Sequence, residues 1–391
     1  MVEWLFMLLP VAAASGWYAA RRTIAPGDRG PARPGRDPAY FQGLNFLLSD
    51  QPDKAVDIFI KVLEVDSDTI ETHLSLGNLF RRRGESERAI RVHQNLVAHS
   101  ALTTEQRARA LLELGKDYMR AGVLDRAESL FQELMEMGLH TESSLRHLTT
   151  IYQQTKDWDE AIAATRRLEA ESGKPMQPVI AQYYCEKAEA ALEHGDSSEA
   201  RTLAKRARDS DDCCVRATML LGDLAARQGD MKLAISEYQR VERQDADYLS
   251  EVVAPICDCY RQLGETEALV DYLGRLCDGV GSVAAMLALA GILHERQGAE
   301  QASAFVTERL RAAPNLQGLD RLISLNLPTV SGCAQETLLL LQGLVQRLLE
   351  KRAGYRCERC GFAATTLHWQ CPSCRSWSSV KPLQGLDGEL H

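Results

Sequence analysis

Apolar residues recur at helical spacing from residue 39 to residue 314, and the helical stretches come in pairs separated by polar turns such as RRRGESERAI, LEHGDSSEA and ARQGDMKLAI. Early in the second helix of each pair stands Ala55, Ala89, Ala127, Ala161, Ala200, Ala234, Ala268 or Ala302, at intervals of 34, 38, 34, 39, 34, 34 and 34 residues. Twelve residues before each stands Gly43, Gly77, Gly115, Thr149, Ala188, Gly222, Ile256 or Ala290. Aromatic rings follow at fixed offsets. Phe46, Phe80, Tyr118 and Tyr152 come three residues after the first marker, and Phe59, Phe131, Tyr238 and Tyr272 four after the second. Small residues let two helix backbones approach, and the rings fill the space left beside them.

A helix–turn–helix unit with this period is the tetratricopeptide pattern. It predicts an all-α fold in which eight units over 39–314 stack into a right-handed superhelix with a concave groove. Residues 315–350 continue the helical pattern as a degenerate ninth unit. First-helix positions that face such a groove include Asn78, Arg81, Lys116, Arg120, Asp223 and Arg227, the candidate partner contacts. For any single one of them a plain solvated surface residue is the stronger reading.

Two end segments break the pattern. Residues 4–20, WLFMLLPVAAASGWYAA, carry no charge and are followed by Arg21 and Arg22. Seventeen helical residues span roughly 26 Å, near the lower limit for crossing a bilayer. A cleaved signal peptide would need basic residues before the apolar run, and only Glu3 precedes it. The expectation is a single-pass transmembrane anchor at 1–20, with the rest of the chain on the cytoplasmic side. Residues 21–38 read as a basic Pro/Gly linker.

The other end holds Cys357-x-x-Cys360 and Cys371-x-x-Cys374, with ten residues between the pairs, in YRCERCGFAATTLHWQCPSC. Two such pairs complete a tetrahedral four-sulfur site, which predicts a metal domain at 351–382 followed by a tail at 383–391. A single pair would equally suit a redox dithiol; the doubled, closely spaced pair suits a metal ion, iron or zinc. Four thiolates leave no open position for substrate or water. The other seven cysteines, Cys185, Cys213, Cys214, Cys257, Cys259, Cys277 and Cys333, are expected to be buried small apolar residues in a reducing compartment.

Charge and motifs narrow the function classes. The net charge of −9 is distributed as −14 over residues 39–350 and −1 at Glu3 against +3 in the linker and +3 from Lys351 onward. An acidic body argues against nucleic acid as a partner. No phosphate-binding loop, H-E-x-x-H or G-x-S-x-G occurs, so no enzyme is expected.

With its anchor, basic linker, tetratricopeptide array and YRCERCGF…HWQCPSCRSW knuckles, the chain resembles the lipopolysaccharide assembly protein B (LapB, or YciM) family over nearly its whole length. The resemblance implies a bacterial inner-membrane adaptor with a rubredoxin-like terminal domain whose ligands are Cys357, Cys360, Cys371 and Cys374. It implies control of lipid A synthesis by promoting degradation of the LpxC deacetylase by the FtsH protease. It also implies possible gathering of other lipopolysaccharide synthesis and transport proteins. The excursion between the pairs is much shorter than in electron-transfer rubredoxins, which favours a structural or docking role. A redox-active iron–sulfur module and a general assembly scaffold without a proteolytic role are the alternatives.

Overall fold

A computed structural model describes residues 70–100 and 102–383, together with isolated positions between 15 and 58. Apart from those positions, the expected anchor, linker and first repeat lie outside the described residues, as does the tail beyond Leu383. Among the described residues no helix is long and apolar enough to cross a membrane. The chain divides into two compact units, Met1–Leu139 and His140–His391.

In the first unit the described helices are α1 (Ile70–Arg82), α2 (Ser86–Ala98), α3 (Thr104–Ala121) and α4 (Leu124–Glu136). They form two helical hairpins, and the marker residues lie where the helices cross. A Cβ at Gly77 would sit 2.4 Å from the His93 ring, and one at Gly115 would sit 2.7 Å from Phe131, so glycine is required by close approach at both. A polar network accompanies the His93 crossing. Buried Asp117 accepts from Arg81 at 2.8 Å and pairs with His93, while Arg81 also reaches Glu113 and Asn78.

The second unit continues the hairpins with α5 (Thr141–Thr155), α6 (Trp158–Ser172), α7 (Gln177–Glu193), α8 (Ser197–Ser210), α9 (Val215–Arg227) and α10 (Met231–Gln244). Next come α11 (Leu249–Leu263), α12 (Thr266–Gly279), α13 (Val283–Gln297) and α14 (Ala299–Ala312). Asp157, Asp196 and Asp230 cap α6, α8 and α10 through their side chains, satisfying N–H groups that would otherwise lack partners. The Gly222 crossing repeats the device of the first unit, with the Tyr238 ring 2.5 Å from where a Cβ would be.

The repeat register differs from the sequence expectation in one unit. The marker alanines Ala89, Ala127, Ala161, Ala200, Ala234 and Ala302 each donate the N–H to the residue that caps the helix, as Ala234 does to Asp230 and Ala302 to Gly298. In α12 that hydrogen bond comes from Leu269, to Glu265; Leu269 is fully buried and Ala268 is exposed. Counting twelve back makes Cys257, not Ile256, its partner position. A 3-10 turn at Ala246–Tyr248 inserts the extra residue before α11, and alanine-to-alanine counting concealed it.

The expected ninth unit is a helix pair, α15 (Leu316–Asn326) and α16 (Cys333–Lys351). Leu340, Leu341, Leu344 and Leu348 of α16 are exposed. The chain then forms a small antiparallel sheet of β1 (Tyr355–Cys357), β2 (Ala363–Ala364) and β3 (Val380–Pro382), in the order β2-β1-β3 with Cys357 opposite Val380. Of the seven non-motif cysteines five are buried, while Cys213 and Cys333 are exposed, contrary to the sequence expectation. Both sit beside helix starts, where the chain leaves the packed interior.

Candidate metal centre and its docking face

The two Cys-x-x-Cys segments fold as matching turns. In each, the residue after the second cysteine donates its N–H to the carbonyl of the first: Gly361 to Cys357 at 2.9 Å, and Arg375 to Cys371 at 2.8 Å. Both donors are left-handed, with φ of 76° at Gly361 and 57° at Arg375. A left-handed residue here closes the turn tightly enough to aim both thiols the same way. Glycine does so without strain, and arginine must be held there by its surroundings.

All four Sγ atoms lie within 4.8 Å of one another. Cys357 and Cys374 are 3.7 Å apart, as are Cys360 and Cys371, and none is disulfide-bonded. A tetrahedral ion with metal–sulfur bonds of about 2.3 Å requires sulfur–sulfur edges of about 3.8 Å. The donor set therefore fits a four-thiolate zinc or iron ion. Burial opposes ionisation of Cys357, but the Ser379 hydroxyl and the N–H groups of Cys360 and Arg359 outweigh it and pull the thiol down to about 6. The Ser376 hydroxyl lowers Cys374 too, whereas burial pushes Cys371 up to about 11, so an ion binding there must displace a proton. The domain has little other core. Its buried apolar cluster is Cys357, Cys371 and Val380, two of which are ligands.

This domain folds back over the array. Gln182 donates to Ser378 Oγ and Gln370 to Gln153 Oε1, each at 2.9 Å. The Tyr248 hydroxyl donates to the Val380 carbonyl at 3.1 Å, and Lys381 reaches Asp245 at 3.0 Å and Asp247 at 3.2 Å. Trp369 stacks on Tyr248 with ring centroids 5.4 Å apart, and the buried Arg216 guanidinium lies 5.7 Å from the Trp369 ring. Trp377 meets Tyr183 and Trp158 edge-on. Gln153, Gln182, Tyr183 and Arg216 belong to α5, α7 and α9, and Tyr248 precedes α11. The knuckles thus rest mainly on the first helices of consecutive repeats, the side that sequence reading assigned to the groove.

A family model described as a rubredoxin metal binding domain matches residues 355–382, and tetratricopeptide repeat models match 72–108 and 185–248. Over 391 aligned residues the chain is 42% identical to Lipopolysaccharide assembly protein B of Escherichia coli K12, covering 99% of this chain and all of the relative. It is 36% identical over 396 residues to the protein of that name from Haemophilus influenzae, covering 99% of this chain and all of that relative. The chain belongs to the lipopolysaccharide assembly protein B family.

In this family member the sequence-derived candidates have different surroundings. Cys357, Cys360, Cys371 and Cys374 converge as anticipated. Asn78 and Arg81 are tied into the Asp117 network, and Lys116 pairs with Glu113 at 2.7 Å. Asp223 accepts from the Tyr238 hydroxyl. Arg120 and Arg227 are exposed. The docking residues Gln153, Gln182, Arg216, Tyr248, Trp369 and Trp377 were not singled out by the sequence. Two tryptophans within so small a metal domain were the available signal, since its own core cannot bury them.

Proposed function

We propose that this chain is a non-enzymatic adaptor at the bacterial inner membrane that restrains lipopolysaccharide synthesis by presenting the LpxC deacetylase to the FtsH protease. The observation that carries the reading is the docked knuckle domain. Its metal site has no open coordination position, and its tryptophans and polar side chains are spent on the repeat array, which suits a structural brace for a partner-binding surface. The names of the relatives support a place in lipopolysaccharide assembly. The uncharged segment at 4–20 supports a single-pass anchor, which would raise the local concentration of the adaptor beside membrane-bound partners. Exposed Arg120 and Arg227 are proposed as partner contacts.

Crosslinking and pull-down from native membranes tests the reading. FtsH and LpxC should be recovered with the intact chain and lost when Cys357 and Cys360 are both replaced by Ser. Recovery of neither from the intact chain would overturn it. The name of the relatives also favours a second reading, an assembly scaffold without a proteolytic role, in which other lipopolysaccharide proteins are recovered and FtsH is not. An iron-loaded protein with a reversible midpoint potential would instead favour the redox module.

A further inference from the structure

Between α5, α6, the start of α7 and the second knuckle lies a cavity of about 530 Å³. Arg146 of α5 lines it together with Arg359 and Arg375 of the metal domain, and among the described residues no Asp or Glu does. Cys374, one of the four candidate ligands, also lines it, so the guanidinium groups face one edge of the sulfur site. Arg146 pairs with Glu142, both well exposed, and Arg359 donates to Ser376 Oγ at 2.9 Å. Arg375 engages its neighbours through its main chain, its N–H going to Cys371 and its carbonyl accepting from Gln370. The Trp377 indole N–H, on the same wall, is buried with no acceptor from the protein. Leu168, Met176 and Val179 supply an apolar side.

Arg359 and Arg375 also offset the charge of the four-thiolate centre, being next to its ligands. Arg146 comes from the array and has no such task. A guanidinium offers a planar pair of donors that matches a carboxylate, and a cavity of this size takes a few side chains.

We propose that this cavity binds a short acidic segment of a protein partner. A carboxylate is held by Arg146, Arg359 and Arg375, and a neighbouring apolar side chain lies against Leu168, Met176 and Val179. The proposal rests on the adaptor reading and gives it a place and a chemistry. The apolar wall beside the arginines favours a peptide over a lipid headgroup. Because its walls come from both the array and the knuckles, the site exists only while the metal domain is docked.

The test uses the full chain, metal-loaded, on an immobilised array of hexapeptides carrying one to three Asp or Glu residues beside Leu or Phe. Acidic hexapeptides should bind, and their Asn/Gln counterparts should not. Arg375→Asn keeps a residue that tolerates the left-handed backbone, and with Arg146→Gln it should weaken binding about ten-fold or more, with metal content and helicity unchanged. Arg146→Glu should recover binding to peptides bearing Lys in place of Glu. Equal binding by the double variant, no binding of acidic peptides, or binding only to phosphatidylglycerol vesicles would overturn the site. If the double variant still recovers its partners from membranes, the site fails while the adaptor reading stands.

Discussion

The repeat array and the metal domain of the same unit hold their shapes by opposite means. In the array the glycine crossings are local exchanges of volume, a glycine on one helix against a ring sixteen residues later, as with Gly77 and His93, Gly115 and Phe131, and Gly222 and Tyr238. Neighbouring hairpins bury one another, so stability accumulates along the chain. The metal domain has a buried cluster too small for a core and keeps its tryptophans against the array. It is held by four sulfurs at one end and by bonds between residues far apart in sequence, Gln370 to Gln153 and Ser378 to Gln182. Repetition makes the array tolerant of local damage. The metal domain depends on two conditions at once, a bound ion and an intact docking face.

Trp377→Ala should separate the two most sharply. Loss of its contacts with Tyr183 and Trp158 should cost about 3 kcal/mol or more, expressed as release of residues 355–382 rather than loss of helix. Hydrogen exchange would show fast amides in the metal domain and unchanged protection in α1–α4. Within the array, Leu269→Ala should cost about 2–5 kcal/mol, while Ala268→Ser should change stability by about 0.5 kcal/mol or less. Thermal melts of the pair decide the register of that repeat, and the reverse ranking would restore Ala268 as the buried marker. Gly222→Ala must push the Tyr238 ring aside and should lose about 1–3 kcal/mol in the same melts.

Alkaline pH should weaken the docking face. Burial pushes the Tyr183 hydroxyl up to about 12. Burial, then the Asp245 carboxylate, raises Tyr248; for Lys381, burial opposes but hydrogen bonds to Asp245 and Asp247 raise it. Groups raised in the docked state contribute stability that is fully present below their ordinary values near 10 and lost as pH rises through the raised ones. The tryptophan emission of Trp369 and Trp377 should therefore shift toward that of exposed indole as pH rises above about 10. Burial and the Asp223 carboxylate raise Tyr238 at the Gly222 crossing in the same way, so helical dichroism should weaken from the same pH, and emission that stays unshifted would contradict the docking account.

What the sequence disclosed follows the same division. Helix pairs, turns and the four ligands are encoded within short windows, and Gly77, Gly115 and Gly222 carried their meaning at fixed offsets from their partners. The slip at Leu269 escaped because Ala268 kept the interval at 34 residues while the 3-10 turn at Ala246–Tyr248 moved the helix by one. The ties of Arg81 were not legible because its carboxylate partners lie on the next repeat, at Glu113 and Asp117. The return of the knuckles to α5–α11 had no local signature beyond the two tryptophans of the metal domain, since it depends on side chains brought together from more than a hundred residues away.

The central claim is that the bound ion holds the metal domain in place while the array stands without it. Hydrogen exchange on the full chain before and after removal of the metal by a chelator tests this most directly. The account predicts loss of protection at residues 355–382 and at the docking positions around Gln153, Gln182 and Tyr248, with α1–α4 unchanged. Unaltered protection at 355–382 after complete metal removal would contradict it.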